Sequence, residues 1–142
     1  MAESALPRVL IVDREPAVVN SLRRLIRREF EVDVATSVEA ALEKLEQFDP
    51  DVVISESRML RMSGRDLLRE VRHQRPQTLR LLMSGWIEPW EQAETSGDRT
   101  VNRWMAKPFA STDLLAAIHE LLAERAHVAV PAPDPAHEPD CT

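Results

Sequence analysis

The stretch "DVVISESRMLRMSG", residues 51–64, decides how the chain is read. Val52, Val53 and Ile54 form a β-branched apolar run, the composition of a strand buried on both faces. The chain then presents Ser55, Glu56, Ser57 and Arg58 in succession. A buried strand that ends in a carboxylate, flanked by hydroxyls and a cation, delivers chemistry to its C-terminal tip.

The same arrangement recurs on both sides of this stretch. Val9 to Val12 is an apolar run ending at Asp13, Arg14 and Glu15. "LRLLM", residues 79–83, ends at Ser84-Gly85, and "VNRWMA", residues 101–106, ends at Lys107-Pro108. "EVDVA", residues 31–35, alternates as a half-buried strand does. Helical spacing fills the intervals. Pro16 suits a first helical turn, and Val18, Val19, Leu22, Leu25 and Ile26 then form an apolar stripe with Arg23, Arg24, Arg27 and Arg28 off it. Thr36 and Glu39 have capping-box spacing ahead of Ala41, Leu42, Leu45 and Phe48. Ser63-Gly64 introduces a third helix with Leu67, Leu68 and Val71 inward, closed by Arg75-Pro76. Pro89 and Gly97 bracket a short fourth helix beside Trp86 and Trp90. Ser111 or Thr112 caps a last helix carrying Leu114, Leu115, Ile118, Leu121 and Leu122.

Five strands alternating with five helices predict a doubly wound α/β fold. Its five-stranded parallel sheet is covered by helices on both faces, a flavodoxin-like three-layer sandwich. Ligands of such sheets bind at the carboxyl ends of the strands, where the strand order reverses. Carboxylate, carboxylate, hydroxyl and ammonium, from Asp13, Glu56, Ser84 and Lys107, are expected at that one rim. Lysine is rare in this arginine-rich chain, occurring only at 44 and 107, which marks Lys107 as a pocket residue.

Size and composition limit the function. At 142 residues, 44% hydrophobic and 30% charged, the chain has room for one domain with a real core. The expected division is an N-terminal extension at 1–7, the domain at 8–125 and a proline- and alanine-rich tail or linker at 126–142. A net charge of -6 argues against direct nucleic-acid binding. No apolar run is long enough to span a membrane, and the N-terminus does not read as a secretory signal. Cys141 is the only cysteine, which excludes an internal disulfide and fits a cytoplasmic protein. His73, His119, His127 and His137 lack metal-ligand spacing, and no glycine-rich phosphate loop or catalytic triad is evident, so an enzyme is not expected.

"VLIVDREP", "DVVISESRMLRMSG", "LLMSG" and "RWMAKPF" together resemble the CheY-like receiver domains of bacterial response regulators, over residues 8 to about 125. The resemblance implies a role in two-component, phosphorelay signalling. In that family an aspartate ending the third strand accepts a phosphoryl group from a histidine kinase, and an acidic pair after the first strand helps it hold Mg²⁺. A Ser or Thr after the fourth strand and a Lys after the fifth contact the phosphoryl oxygens. An aromatic residue three positions before that Lys turns inward on activation, and the Lys-Pro bond is usually cis. Carried over, the phosphoacceptor position is Glu56, the acidic pair falls on Asp13 and Arg14, the hydroxyl is Ser84, the lysine is Lys107, the aromatic is Trp104 and the cis-proline candidate is Pro108. Leu60-Arg61 stands where the family often has Pro-Gly.

These departures predict altered chemistry. A guanidinium accepts no hydrogen bonds, does not deprotonate and cannot ligate a metal. With Arg14 in the acidic pair, Mg²⁺ binding is expected to be weak or absent, leaving Asp13 and Glu56 as residual candidate ligands. Glu15 adds a negative charge if it points inward. Glu56 reaches ~1.5 Å further than an aspartate and is able to pair with Lys107, Ser84 or Arg14, either as a structural salt bridge or as a lock on an active-like shape. The expected function is an atypical receiver, or pseudo-receiver, acting by protein–protein interaction without conventional phosphorylation. Its partners would be a histidine kinase, an output domain, or a second copy docked through the fourth-helix, fifth-strand, last-helix face. The alternative is a working phosphoreceiver using Glu56 or a neighbour, Ser55, Ser57 or Asp51, to regulate an output domain or partner.

Overall fold

The computed structural model describes residues 6–85 and 100–129, with side chains described as far as 125. In chain order the elements are β1 (Arg8–Val12), α1 (Pro16–Ile26), β2 (Glu31–Ala35), α2 (Val38–Phe48), β3 (Val52–Glu56), α3 (Gly64–Gln74), β4 (Leu79–Ser84), β5 (Arg103–Ala106) and α4 (Ser111–Ala129). The expected short helix between Pro89 and Gly97, with Trp86 and Trp90, lies outside the described residues.

The strands form one sheet in the order β2-β1-β3-β4-β5, and every pairing is parallel. Alternate side chains along each strand point to opposite faces, and the core divides accordingly. Val9, Ile11, Val52, Ile54, Leu81 and Met83 pack under α1 and α4, against Val19, Leu22, Ile26, Leu114 and Ile118. Leu10, Val12, Val53 and Leu82 pack under α2 and α3, against Leu45, Leu67, Leu68 and Val71. The chain leaves β1 for β2 on one side and returns to β3 on the other. The carboxyl ends of β1 and β3 therefore flank the crevice that such a reversal opens.

Several local expectations need correction. Ser37, not Thr36, caps α2: it is extended, and its Oγ accepts from the Ala40 N–H at 3.0 Å. The helix starts one residue later than the capping-box reading, so the Glu39 carboxylate pairs with Arg61 instead of the backbone. No hydroxyl caps α4. The Asp113 carboxylate accepts from the Ala110 N–H at 3.3 Å, and Ser111 is already helical. That helix runs to Ala129, into the segment expected to be tail. Leu25 is 45% exposed, because the inward stripe of α1 is Val19, Leu22 and Ile26 and Leu25 lies to its side. Arg80 is a buried cation that strand periodicity gave no reason to expect. It donates to the carbonyls of Thr100 and Thr78, at 2.9 and 2.7 Å. Burial, then the nearby Arg72 cation, lower its pKa to about 10.

Candidate functional site

Each strand end supplies its residue through the backbone register. Asp13 follows β1 directly, and its N–H donates to Ala35 O at 3.2 Å. The peptide then turns, so that Glu15 N–H donates back to Asp13 Oδ1 at 2.9 Å. This turn buries the Asp13 carboxylate while Arg14 and Glu15 remain exposed. Glu56 is the last residue of β3 and is buried. Lys107 follows β5, with its N–H on Ser84 O at 2.7 Å, and the Lys107-Pro108 peptide is cis.

These ends converge. Lys107 Nζ donates to Glu56 Oε1 and, at 3.3 Å, to Asp13 Oδ2. The second Glu56 oxygen accepts from Arg58 N–H at 3.2 Å and faces Ser57 Oγ at 3.3 Å. Ser57 Oγ also lies 2.9 Å from Ser84 Oγ. A hydroxyl has one proton to give. When Ser57 serves the carboxylate, Ser84 therefore donates to Ser57, and the strand-four hydroxyl reaches Glu56 through an intermediary. Of the partners open to Glu56 in the sequence, Lys107 is the one it holds directly.

Burial by itself disfavours the Lys107 ammonium. The hydrogen bond and charge of Glu56, with the charge of Asp13, outweigh that penalty and hold its pKa above the ordinary lysine value. The mouth of the site is a cleft of about 420 Å³ lined by Asp13, Arg14, Glu15, Glu56, Arg58 and Lys107. Arg14 makes no side-chain hydrogen bond or ion pair among the described residues and lies at the rim. Trp104 is half-buried and packs against the core under α2 and α3, not in this cleft. Among the described residues no three of His, Cys, Asp and Glu converge as a ligand group.

Asp51 requires a correction. It stands before β3, at the opposite edge of the sheet from Glu56. There it accepts from Arg8 N–H at 2.9 Å and Arg125 Nη2 at 3.3 Å, so it is no neighbour of the site. Ser55 is fully buried, with its hydroxyl on Glu56 O at 3.0 Å.

Ser57, named in the sequence only as an alternative acceptor, bridges Glu56 and Ser84. One contributor escaped sequence reasoning. Gly64 presses its backbone on the end of β3, donating to Ser57 O at 2.8 Å, and a Cβ there would lie 1.9 Å from Glu56 O. The signal for Gly64 was scarcity, since the chain has only three glycines. The loop before it carries Arg61 at φ 76°, a left-handed conformation at one of the positions where the family often has Pro-Gly.

Residues 9–119 match the model of the response regulator receiver domain. The chain belongs to this family. As a receiver it is similar to the transcriptional regulatory protein TrcR of Mycobacterium tuberculosis, 29% identical over 99% of this chain and 55% of that protein. It is also similar to the sensor kinase CckA of Brucella abortus, 32% identical over 82% of this chain and 13% of that protein. A CheY-like receiver domain from Methanospirillum hungatei superposes with a TM-score of 0.80 at 25% identity, covering 87% of this chain and 98% of that one. The receiver spans about half the length of the first of these curated relatives and less of the second. No described helix is long and apolar enough to cross a membrane.

Proposed function

We propose that this receiver is not conventionally phosphorylated and acts by protein–protein contact, as a signalling module and not an enzyme. The observation that carries this reading is the Lys107 ammonium seated between the Glu56 and Asp13 carboxylates. A phosphoacceptor must present a free carboxylate oxygen in line with the incoming phosphoryl group, and a misplacement near 1 Å costs about 10²-fold. Here one Glu56 oxygen faces the lysine and the other faces Ser57 and the Arg58 amide.

The donor set also suits Mg²⁺ poorly. Mg²⁺ takes oxygen ligands in near-octahedral geometry and dehydrates reluctantly. Of the mapped ligand positions, Asp13 and Glu56 already share an ammonium, and Arg14 brings a competing cation to the rim. The lysine supplies the counter-charge that a divalent ion would otherwise provide.

The partner on this reading is a signalling protein, a histidine kinase or an output domain. The face formed by β5 and α4 is the candidate surface for it or for a second copy, with no direct contact to nucleic acid or membrane; the fourth helix expected beside them lies outside the described residues. A cytoplasmic location accords with a lone cysteine at position 141. Incubation with acetyl phosphate and Mg²⁺, read by intact mass, tests the proposal. The expected result is no species heavier by roughly 80 Da, the mass of one phosphoryl group. Such a species, mapped to Glu56 or Ser57, would establish a working phosphoreceiver instead.

A further inference from the structure

Arg23 and Arg24 in the last turn of α1, and Arg27 and Arg28 just past it, are all exposed. None of their side chains makes a hydrogen bond or ion pair among the described residues. The acids nearest along the chain are already engaged: Glu29 holds His119, and Glu31 lies 3.5 Å from Arg8. Four like charges within six residues repel one another, although Arg23 and Arg24 lie in the last turn of α1, where the helix dipole favours cations. Among the described residues this basic cluster is thus left without a counter-charge, on a chain whose net charge is -6. Leu25, one of the few large apolar side chains exposed among the described residues, stands within this quartet.

The chain itself contains a segment of matching charge. Residues 130–142, "VPAPDPAHEPDCT", carry Asp134, Glu138 and Asp140 and no Lys or Arg. This segment leaves from α4, which lies alongside α1: Phe30 and His119 have ring centroids 4.9 Å apart. From His119 to Ala129 is about 15 Å of helix. Nine residues, from Val130 to Glu138, reach up to about 28 Å, enough to return to the end of α1.

We propose that the acidic segment 130–142 docks in cis on the arginine cluster at the C-terminal end of α1, with its carboxylates against the quartet and Leu25 as its apolar neighbour. The attachment is intramolecular, so the effective concentration is of millimolar order and weak contacts suffice. A protein partner of this cluster would compete with the tail.

Cys141 is the only cysteine of these 142 residues, so a nitroxide attached there reports on segment 130–142 without any mutation. Paramagnetic broadening of amide signals is expected to concentrate on residues 20–28. It should disappear in about 0.5 M NaCl, where the screening length falls to about 4 Å. It should also disappear in the variant combining R23Q, R24Q, R27Q and R28Q, whose unchanged core amide shifts would establish that it folds. Broadening centred on another face, or none, overturns the proposal. Broadening of an isotope-labelled, spin-free chain mixed with an unlabelled, spin-labelled one would mean docking between copies, and overturns the cis form.

Discussion

The backbone of Gly64 rests against the carbonyl of Glu56 so closely that a Cβ on residue 64 would sit 1.9 Å from its oxygen. The neighbour is main chain at the end of a central strand and has no rotamer to change. G64A should therefore lower the free energy of unfolding by about 3 kcal/mol, at the upper end of overpacking effects, as measured by urea denaturation. Because α3 would lift off the end of β3, amide shifts at Glu56, Ser57 and Ser84 should move in the same variant.

Lys107 holds two buried carboxylates together, and its removal leaves them facing each other. K107M should cost about 2 kcal/mol at neutral pH, less than a fully buried pair because the lysine side chain is 30% exposed. The pH signature of this pair lies at the alkaline end. The folded-state pKa of Lys107 is raised, so its contribution is complete below the ordinary value of 10.5 and is lost as pH rises through the higher folded value. Denaturation midpoints of wild type and K107M should converge there.

Arg14 and Glu56 are the two departures that disfavour a cation. Combining R14D with E56D puts a carboxylate beside Asp13 and shortens the one at position 56, so that all three mapped ligand positions are aspartates. Magnesium titration followed by amide shifts should show saturable binding in the millimolar range for the double variant and none for the wild type. If the double variant stays silent, the loop at Leu60-Arg61 also shapes the pocket.

Arg61 holds a left-handed φ of 76° despite carrying a side chain. That conformation costs roughly 1–2 kcal/mol, and the Arg61–Glu39 pair that accompanies it, at 3.1 Å, is solvent-exposed and worth at most about 1 kcal/mol. R61G should raise the thermal midpoint by a few degrees, measured by calorimetry, without shifting the amides of Asp13 or Lys107.

The sheet was legible in the sequence because buried parallel strands read as continuous apolar runs. Val9–Val12, Val52–Ile54 and Leu79–Met83 each lie where the reading placed them. The convergence of Asp13, Glu56 and Lys107 follows once those strand ends share one rim. What stayed hidden depended on three-dimensional detail. Periodicity placed Leu25 inward, but no described element covers that side of α1. Thr36 and Ser37 offer similar caps, and only the backbone angle at Ser37 selects between them. Asp51 is close to Glu56 in sequence yet lies at the far end of a strand five residues long. The choice of Lys107 over Arg14 as the partner of Glu56 turns on the bend after β1, which points Arg14 outward.

The lysine bridge also bears on timing. In a switch that depends on a transferred group, the lifetime of one labile bond sets how long a signal persists. Here the counter-ion of Glu56 belongs to the same chain and never departs. On the proposed reading the domain has no internal clock. The duration of its signal would follow the abundance of its partner and the rate at which the two come apart.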